Sequence, residues 1–369
     1  MMVLIKFIKK YTVLCIAAFA AIITCFLVPP DKAYLDYFDW TTLVCLFLTL
    51  AVICAFRNIK FFTIVSRKLV LFAGNLRSLF FILIIITFIG SMIIANDMAL
   101  ITFLPLGYFA VSVAKQEKYI PYLFILQNIS ANLGGMLTPF GNPQNLYLYS
   151  YFKIPTLEFC SIMLPPFILA VALLSICCLF VKPKKLTIGD KFPEKLSVKR
   201  TLLYSALFLF SILIVFRVIP FWVGLIVVPL TLFFVDRESL LMVDYALLGT
   251  FFFFFIFAGN LSRIDAVNSL LSTLLQRDTL LVSVLSCQGI SNVPSAILLS
   301  RFTTNYKALL MGVNIGGTGT LIASLASLIT FSEHRILYPG HTKQYFWLFT
   351  LINTVFLIIM TAAAKFLFL

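Results

Sequence analysis

The sequence predicts an all-α polytopic membrane protein built from two inverted repeats, each with a re-entrant helical hairpin and a broken transmembrane helix. Three observations predict it. Of the 369 residues, 62% are hydrophobic and only 11% charged, a balance that the surface of a water-soluble domain could not carry. Apolar runs long enough to cross roughly 30 Å of hydrocarbon recur along the whole chain. A polar motif in mid-span, Asn132-Leu133-Gly134-Gly135-Met136-Leu137-Thr138, returns without gaps as Asn314-Ile315-Gly316-Gly317-Thr318-Gly319-Thr320.

Taken in order, spans are expected over 11–28, 40–56, 119–150, 157–181, 201–216, 219–235, 246–262, 305–330 and 346–367, those at 119–150 and 305–330 being interrupted. The first follows Lys6, Lys9 and Lys10 as a signal peptide would, but it lacks a small-residue cleavage site before Pro29-Pro30 and is read as a membrane helix. Stretches 78–113 and 279–302 each carry a polar break, Ile94-Ala95-Asn96-Asp97 and Gly289-Ile290-Ser291-Asn292. Either half alone has the length of a re-entrant segment, so each stretch reads as a hairpin that enters and leaves on one side. Ile59 to Leu76 and Leu261 to Asp278 mix basic and apolar residues at helical spacing and read as interfacial arms preceding the hairpins. The Asp39-Trp40 pair that opens an early span has an echo in Asp244-Tyr245.

The chain is one membrane domain, 1–369. Residues 1–181 form the first repeat, 182–200 a lysine-rich cytoplasmic linker, and 201–369 a second repeat with one extra helix, which inverts it. Loop charge tests this arrangement. With a cytoplasmic N-terminus, twenty of the 28 basic residues fall on inside loops and seven outside, as multi-pass proteins of the inner membrane require. Counting either hairpin as a single crossing would flip every later loop.

The net charge of +14 is therefore topology, and no nucleic-acid partner is expected. Eight cysteines, all in apolar segments and without a CxxC pair, read as small buried hydrophobes rather than disulfides or metal ligands. His334 and His341 share what reads as one polar loop, so an intramembrane enzyme has neither base nor metal ligands to work with. No cofactor is expected. The Phe251 to Phe255 run reads as packing or lipid-facing bulk.

Gly-Gly and Thr-Pro in mid-membrane break a helix and leave peptide groups unpaired, each at a few kcal/mol in hydrocarbon. Such breaks survive where they line a polar cavity: half-helix N-termini then face an anion and freed carbonyls a cation such as Na⁺. Close helix packing is the alternative use of a Gly-Gly pair, but two pairs at equivalent places, each following a polar hairpin tip, favour a site. The candidate residues are Asn96, Asp97, Thr138, Pro139, Gly141, Asn142, Gln144 and Asn145 in the first half, and Ser291, Asn292, Gly316, Gly317, Thr318, Thr320 and Ser324 in the second. Na⁺ is expected near Asn96, Asp97, Ser291 and Asn292. Asp97, the one acid placed deep in an apolar hairpin, reads as a ligand for a coupling cation or proton, with a helix cap as the alternative.

These same residues carry a resemblance. Asn96-Asp97 with Leu104-Pro105-Leu106, Ala131-Asn132-Leu133-Gly134-Gly135 with Thr138-Pro139-Phe140-Gly141-Asn142-Pro143-Gln144-Asn145, Ser291-Asn292-Val293-Pro294, and Asn314-Ile315-Gly316-Gly317 resemble the ion transporter superfamily. That group includes arsenite permeases, sodium/proton antiporters, and the citrate and divalent-anion/sodium symporters. The resemblance covers nearly the whole chain and implies a homodimeric elevator fold. In the symporter branch the hairpin tips read Ser-Asn-Thr and hold Na⁺ and carboxylate. Here the second tip has Val293 and the first reads Asn96-Asp97-Met98, nearer the arsenite and antiporter branches, and the second broken helix has Leu321 where the first has Pro139. The function expected is secondary active transport of a small inorganic or organic anion, coupled to Na⁺ or H⁺, with a Na⁺/H⁺ antiporter or an arsenite-type permease as the alternative.

Overall fold

In the computed structural model, which describes residues 11–185 and 196–369, the described chain is helical apart from one isolated antiparallel bridge between Asn75 and Lys185. Lys6, Lys9, Lys10 and the middle of the predicted linker lie outside the described residues. The helices are α1 (Thr12–Leu27), α2 (Trp40–Asn58), α3 (Phe61–Val70), α4 (Leu76–Ile94), α5 (Asn96–Val113), α6 (Ile120–Gly134), α7 (Pro143–Tyr151) and α8 (Thr156–Leu179). After the linker come α9 (Val198–Val215), α10 (Phe221–Val235), α11 (Arg237–Leu241), α12 (Tyr245–Ser262), α13 (Asp265–Ile290), α14 (Asn292–Leu299), α15 (Tyr306–Ile315), α16 (Leu325–Leu337) and α17 (Thr342–Ala363).

Short polar side chains set many of these starts. Asp39 accepts the Thr42 N–H and Asp244 the Leu247 N–H, both at 3.0 Å, so the echoing Asp-Trp and Asp-Tyr pairs are the N-caps of α2 and α12. Asn75 and Ser78 form a reciprocal capping box on α4. Among the described residues, eight helices are long and apolar enough to cross a membrane: α2, α4, α5, α8, α9, α12, α13 and α17 with its extension to Phe368. Helices α1 and α10 are apolar and somewhat shorter. The molecule is a multi-pass membrane protein, and large side chains such as Phe19, Phe26, Ile168, Trp222 and Leu351 face outward, as lipid contact requires.

Both polar breaks are hairpin tips. Around the first, α4 and α5 fold back so that Gly90 lies against the Phe103 ring; around the second, Ser286 and Ser295 meet through their hydroxyls at 2.9 Å. The arms differ from expectation in length. The capping box starts α4 at Leu76, giving arms of 19 and 18 residues, each as long as a full crossing. In the second hairpin a kink at Asp278 separates the interfacial arm from the segment that reaches the tip, and α14 has only 8 residues. The first hairpin clasps α6, which is buried from Leu123 to Gly134. The second clasps α15, while α2 packs against α7, α9, α10 and α11, and α1 against α12.

Two side-chain expectations meet the structure differently. His334 is not in a loop: α16 continues to Leu337, and the imidazole is fully buried, stacked on Tyr345 with centroids 3.8 Å apart. The amphipathic spacing of Glu333-His334-Arg335 turns only the histidine inward. Within the phenylalanine run, Phe251 and Phe255 are buried and Phe252 stacks on Phe38 at 4.7 Å, which makes the run packing bulk. The cysteines are free.

Candidate functional site

The two tips have matching backbones. Ala95 (φ 63°, ψ 154°) and Ser291 (φ 74°, ψ 159°) occupy a positive-φ region that costs a non-glycine residue on the order of 1–3 kcal/mol. Each is followed by a buried asparagine that opens the next helix. Asn96 Oδ1 accepts the Asp97 N–H, and Asn292 Oδ1 the Val293 N–H, both at 2.9 Å. Each tip is then anchored to a helix break or the turn after it. Asn96 Nδ2 donates to Asn132 Oδ1 at 3.4 Å, and the Asn292 N–H donates to the Ala323 carbonyl at 2.9 Å. Ser291 Oγ donates to the same carbonyl at 3.4 Å.

Side-chain amides close both breaks. In the first, Asn145 Nδ2 donates to the carbonyls of Gly135, Met136 and Thr138 at 3.0, 3.4 and 3.4 Å. In the second, Gln288 Nε2 donates to those of Gly316 and Thr318 at 2.9 and 3.1 Å, while its Oε1 accepts the Thr320 N–H at 2.9 Å. Peptide groups freed by the missing helical bonds are thereby satisfied in a place water does not reach freely. The two breaks also touch each other. Asn314 Nδ2 donates to Asn145 Oδ1 at 2.6 Å, and Asn314 Oδ1 accepts from Asn142 and Gln144, each at 3.4 Å. Gly317 leaves room there: a Cβ on it would lie 3.0 Å from Asn292 Nδ2 and 3.5 Å from Asn132 Oδ1.

A cavity of about 610 Å³ opens at this junction, lined by Asn96, Asp97, Gln144, Ser291 and Asn292 among others. Five predicted site residues thus meet on one space. Asn142 lines a smaller adjoining cavity of about 30 Å³ together with Asp97. The remaining candidates do not line the larger cavity. Thr138 Oγ1 donates to the Met92 carbonyl at 3.0 Å, tying the first break to its hairpin. Thr320 Oγ1 ties the second break to Gln288 O at 3.2 Å, Thr318 Oγ1 bonds Ile315 O at 2.7 Å, and Ser324 caps α16. Pro139 is buried in the first break. Gly141 and Gly316 are close-approach positions, where a Cβ would come within 2.4 Å of Gly135 O and 2.8 Å of Gly312 O.

Four participants escaped the sequence reading as site residues. Asn132 and Asn314 open the repeated motif, which was the available signal. Gln288 is a single polar residue in a hairpin arm, and Asp244, which lines both cavities, looks in sequence like any helix cap.

The electrostatics of the cavity are mixed. Helices α5, α7 and α14 begin at Asn96, Pro143 and Asn292, and all three residues line it, so three positive dipole ends converge on one space. Two carboxylates, Asp97 and Asp244, line it as well, and among the described residues no Lys, Arg or His does. Asp97 Oδ1, Asn142 Oδ1 and Gln144 Oε1 are buried without a hydrogen-bond partner. Hard acceptor oxygens lacking donors suit an alkali cation or a proton, and helix N-termini suit an anion. Among the described residues no group of three His, Cys, Asp or Glu side chains could hold a metal ion.

The family model of the citrate transporters matches residues 1–307. An uncharacterized transporter of Methanocaldococcus jannaschii is 33% identical over 331 residues, covering 89% of this chain and 90% of that protein. An inner membrane protein of Escherichia coli is 30% identical over 332 residues, covering 86% and 87%.

Proposed function

Because the chain belongs to the citrate transporter family, within the ion transporter superfamily, we propose that it is a secondary active transporter moving a small anion across the cytoplasmic membrane, coupled to Na⁺ or H⁺. The observation that carries this reading is the convergence of three helix N-termini on a cavity that also holds an acid, Asp97, with an unpartnered oxygen. The N-termini provide for the anion without fixed positive charge, so it can be released. The acid provides for the coupling ion.

Inverted repeats, an elevator movement of the hairpins and broken helices, a homodimer and a cytoplasmic N-terminus belong to the same proposal. The matching tips support the repeats, the loop charges the orientation and the inner-membrane description of the Escherichia coli relative the location; the homodimer and the elevator movement rest on the resemblance alone. Na⁺/H⁺ antiport is the second reading, favoured by two carboxylates on a cavity with no basic side chain among the described residues; an arsenite-type permease rests on the tip residues alone.

Proteoliposomes test all three. Uptake of labelled citrate, the anion in the family's description, and of arsenite is followed with Na⁺ and pH gradients imposed separately, alongside a dye for internal pH. Gradient-driven anion uptake is expected. Sodium-driven proton movement with no anion uptake transfers the conclusion to antiport, and absence of both overturns it. In the coupled transporter, Asp97→Asn should remove the gradient dependence while substrate exchange persists; a variant with wild-type dependence makes Asp97 a helix cap.

A further inference from the structure

Asp244 has a use beyond capping α12. It sits at the α11–α12 corner and lines the small cavity of about 30 Å³ together with Asp97 of the first hairpin tip. So little space holds on the order of one or two water molecules, and both acids contribute to its wall. Among the described residues neither has an ion pair. Asn142, wholly buried, lines the same space, and its Oδ1 has no hydrogen-bond partner.

The other charged or titratable groups nearby are engaged elsewhere. Arg57 of α2 turns its guanidinium to Met98 Sδ at 3.9 Å. Cys54 donates to the Met242 carbonyl, and Asp236 accepts from Asn58 and Tyr204. Tyr245 donates to the Leu240 carbonyl, and Tyr11 lies at the wall of the larger cavity. Among the described residues no positive side chain therefore pairs with either of the two acids that line this small volume. Two carboxylates sharing a site favour binding a proton or cation between them.

We propose that Asp97 and Asp244 form one site for a single monovalent cation, Na⁺ or a proton, which bridges the first hairpin tip and the α11–α12 corner with Asn142 Oδ1 as the neutral third oxygen. The proposal deepens the coupling half of the transport reading and rests on it. One carboxylate belongs to a hairpin tip and the other to a separate corner, so movement of the tip away from α12 would split the site and release the ion. That links ion occupancy to conformation with no further device.

The test uses purified full-length protein in detergent, with no substrate. Binding of ²²Na⁺ is measured, and proton uptake is followed with an indicator dye as the protein is titrated from about pH 9 to about pH 5. Asp244→Asn keeps an oxygen for the α12 cap and removes the charge, and Asp244→Ser serves if that protein does not fold. The wild type is expected to bind one Na⁺, or to take up one proton that the variant does not. Asp97→Asn and Asp244→Asn should each weaken that binding at least about tenfold, and the double variant by less than the product of the two losses, since both groups serve one site. Binding unchanged in Asp244→Asn while Asp97→Asn loses it makes Asp244 a cap and overturns the proposal, leaving transport untouched. A wild type that takes up neither ion also overturns it. Intact cation binding with no transport in proteoliposomes counts against the proposed function and not against the site.

Discussion

Replacing Gly134 by alanine tests how closely the first hairpin and the first broken helix are joined. A Cβ on Gly134 would lie 2.3 Å from the Phe88 carbonyl oxygen, 2.9 Å from its Cα and 3.0 Å from its carbonyl carbon. All three are backbone atoms, so no rotamer change relieves the clash. Restoring ordinary contact requires α4 and α6 to separate by about 1 Å, in an interior packed as densely as a crystal. The same contact carries the bond from Ser91 Oγ to the Ala131 carbonyl, which the separation would stretch. Overpacking of this kind costs about 1–3 kcal/mol. Gly289→Ala is the matched control, since nothing lies within 4 Å of its Cβ position, and alanine in a helix is favoured over glycine by roughly 1 kcal/mol. Thermal unfolding of both variants, read by loss of monodisperse protein in detergent, should place Gly134→Ala below the wild type by several degrees and Gly289→Ala at or above it. Wild-type melting of Gly134→Ala would refute the close approach, and with it the claim that the tip at Asn96 is positioned by α6.

Ala95→Gly and Ser291→Gly relieve the positive-φ positions at the tips and should each stabilise by about 0.5–1 kcal/mol, measured by the same melts; lower melting in both would mean that the side chains stabilise the tips. Asp236 accepts from Asn58 Nδ2 at 2.7 Å and Tyr204 Oη at 2.8 Å, so Asp236→Ala strands two donors and should cost about 1–3 kcal/mol, whereas Asp236→Asn, keeping one acceptor, should cost less. Arg263 hydrogen-bonds Asp31 and holds its carboxyl below the usual carboxylate range. A depressed acid stabilises above its unfolded value and loses that stabilisation as pH falls through the folded one. Melting curves of wild type and Asp31→Asn should therefore differ slightly near neutrality and converge only as the pH falls below the ordinary aspartate value of about 3.9; a gap that persists in strong acid would assign the effect to something other than charge.

The backbone accounts for how much was legible. A lipid interior forces every peptide group to find an internal partner, so clusters of glycine, proline and asparagine in mid-span pointed to breaks and tips, whereas single ones such as Pro105, Pro229 and Asn353 sit inside continuous helices. The positions of the breaks and tips follow the sequence to within a few residues: α6 ends at Gly134, α15 at Ile315, and the tips fall at Ala95 and Ser291. Side-chain assignments were less legible because one residue type serves two ends. Asp39 and Asp244 carry the same N-cap signature, and only the packing of α12 decides that the second also faces a cavity. Thr138 and Thr320 read as ligand hydroxyls, yet each bonds a hairpin carbonyl.

Gln288 and Asn145 make the point most sharply, because they do one job from unrelated places. Asn145 closes the first break from the helix after it, and Gln288 closes the second from the hairpin arm before it. Their amide N–H groups bond the carbonyls that a broken helix exposes, so those oxygens are already engaged within the protein. The acceptors left without a donor around the cavities are side-chain oxygens, those of Asp97, Asn142 and Gln144. An incoming ion then has less reason to bind the breaks themselves than the side chains at their rim, which is where the tip of the first hairpin and the α11–α12 corner place their two acids.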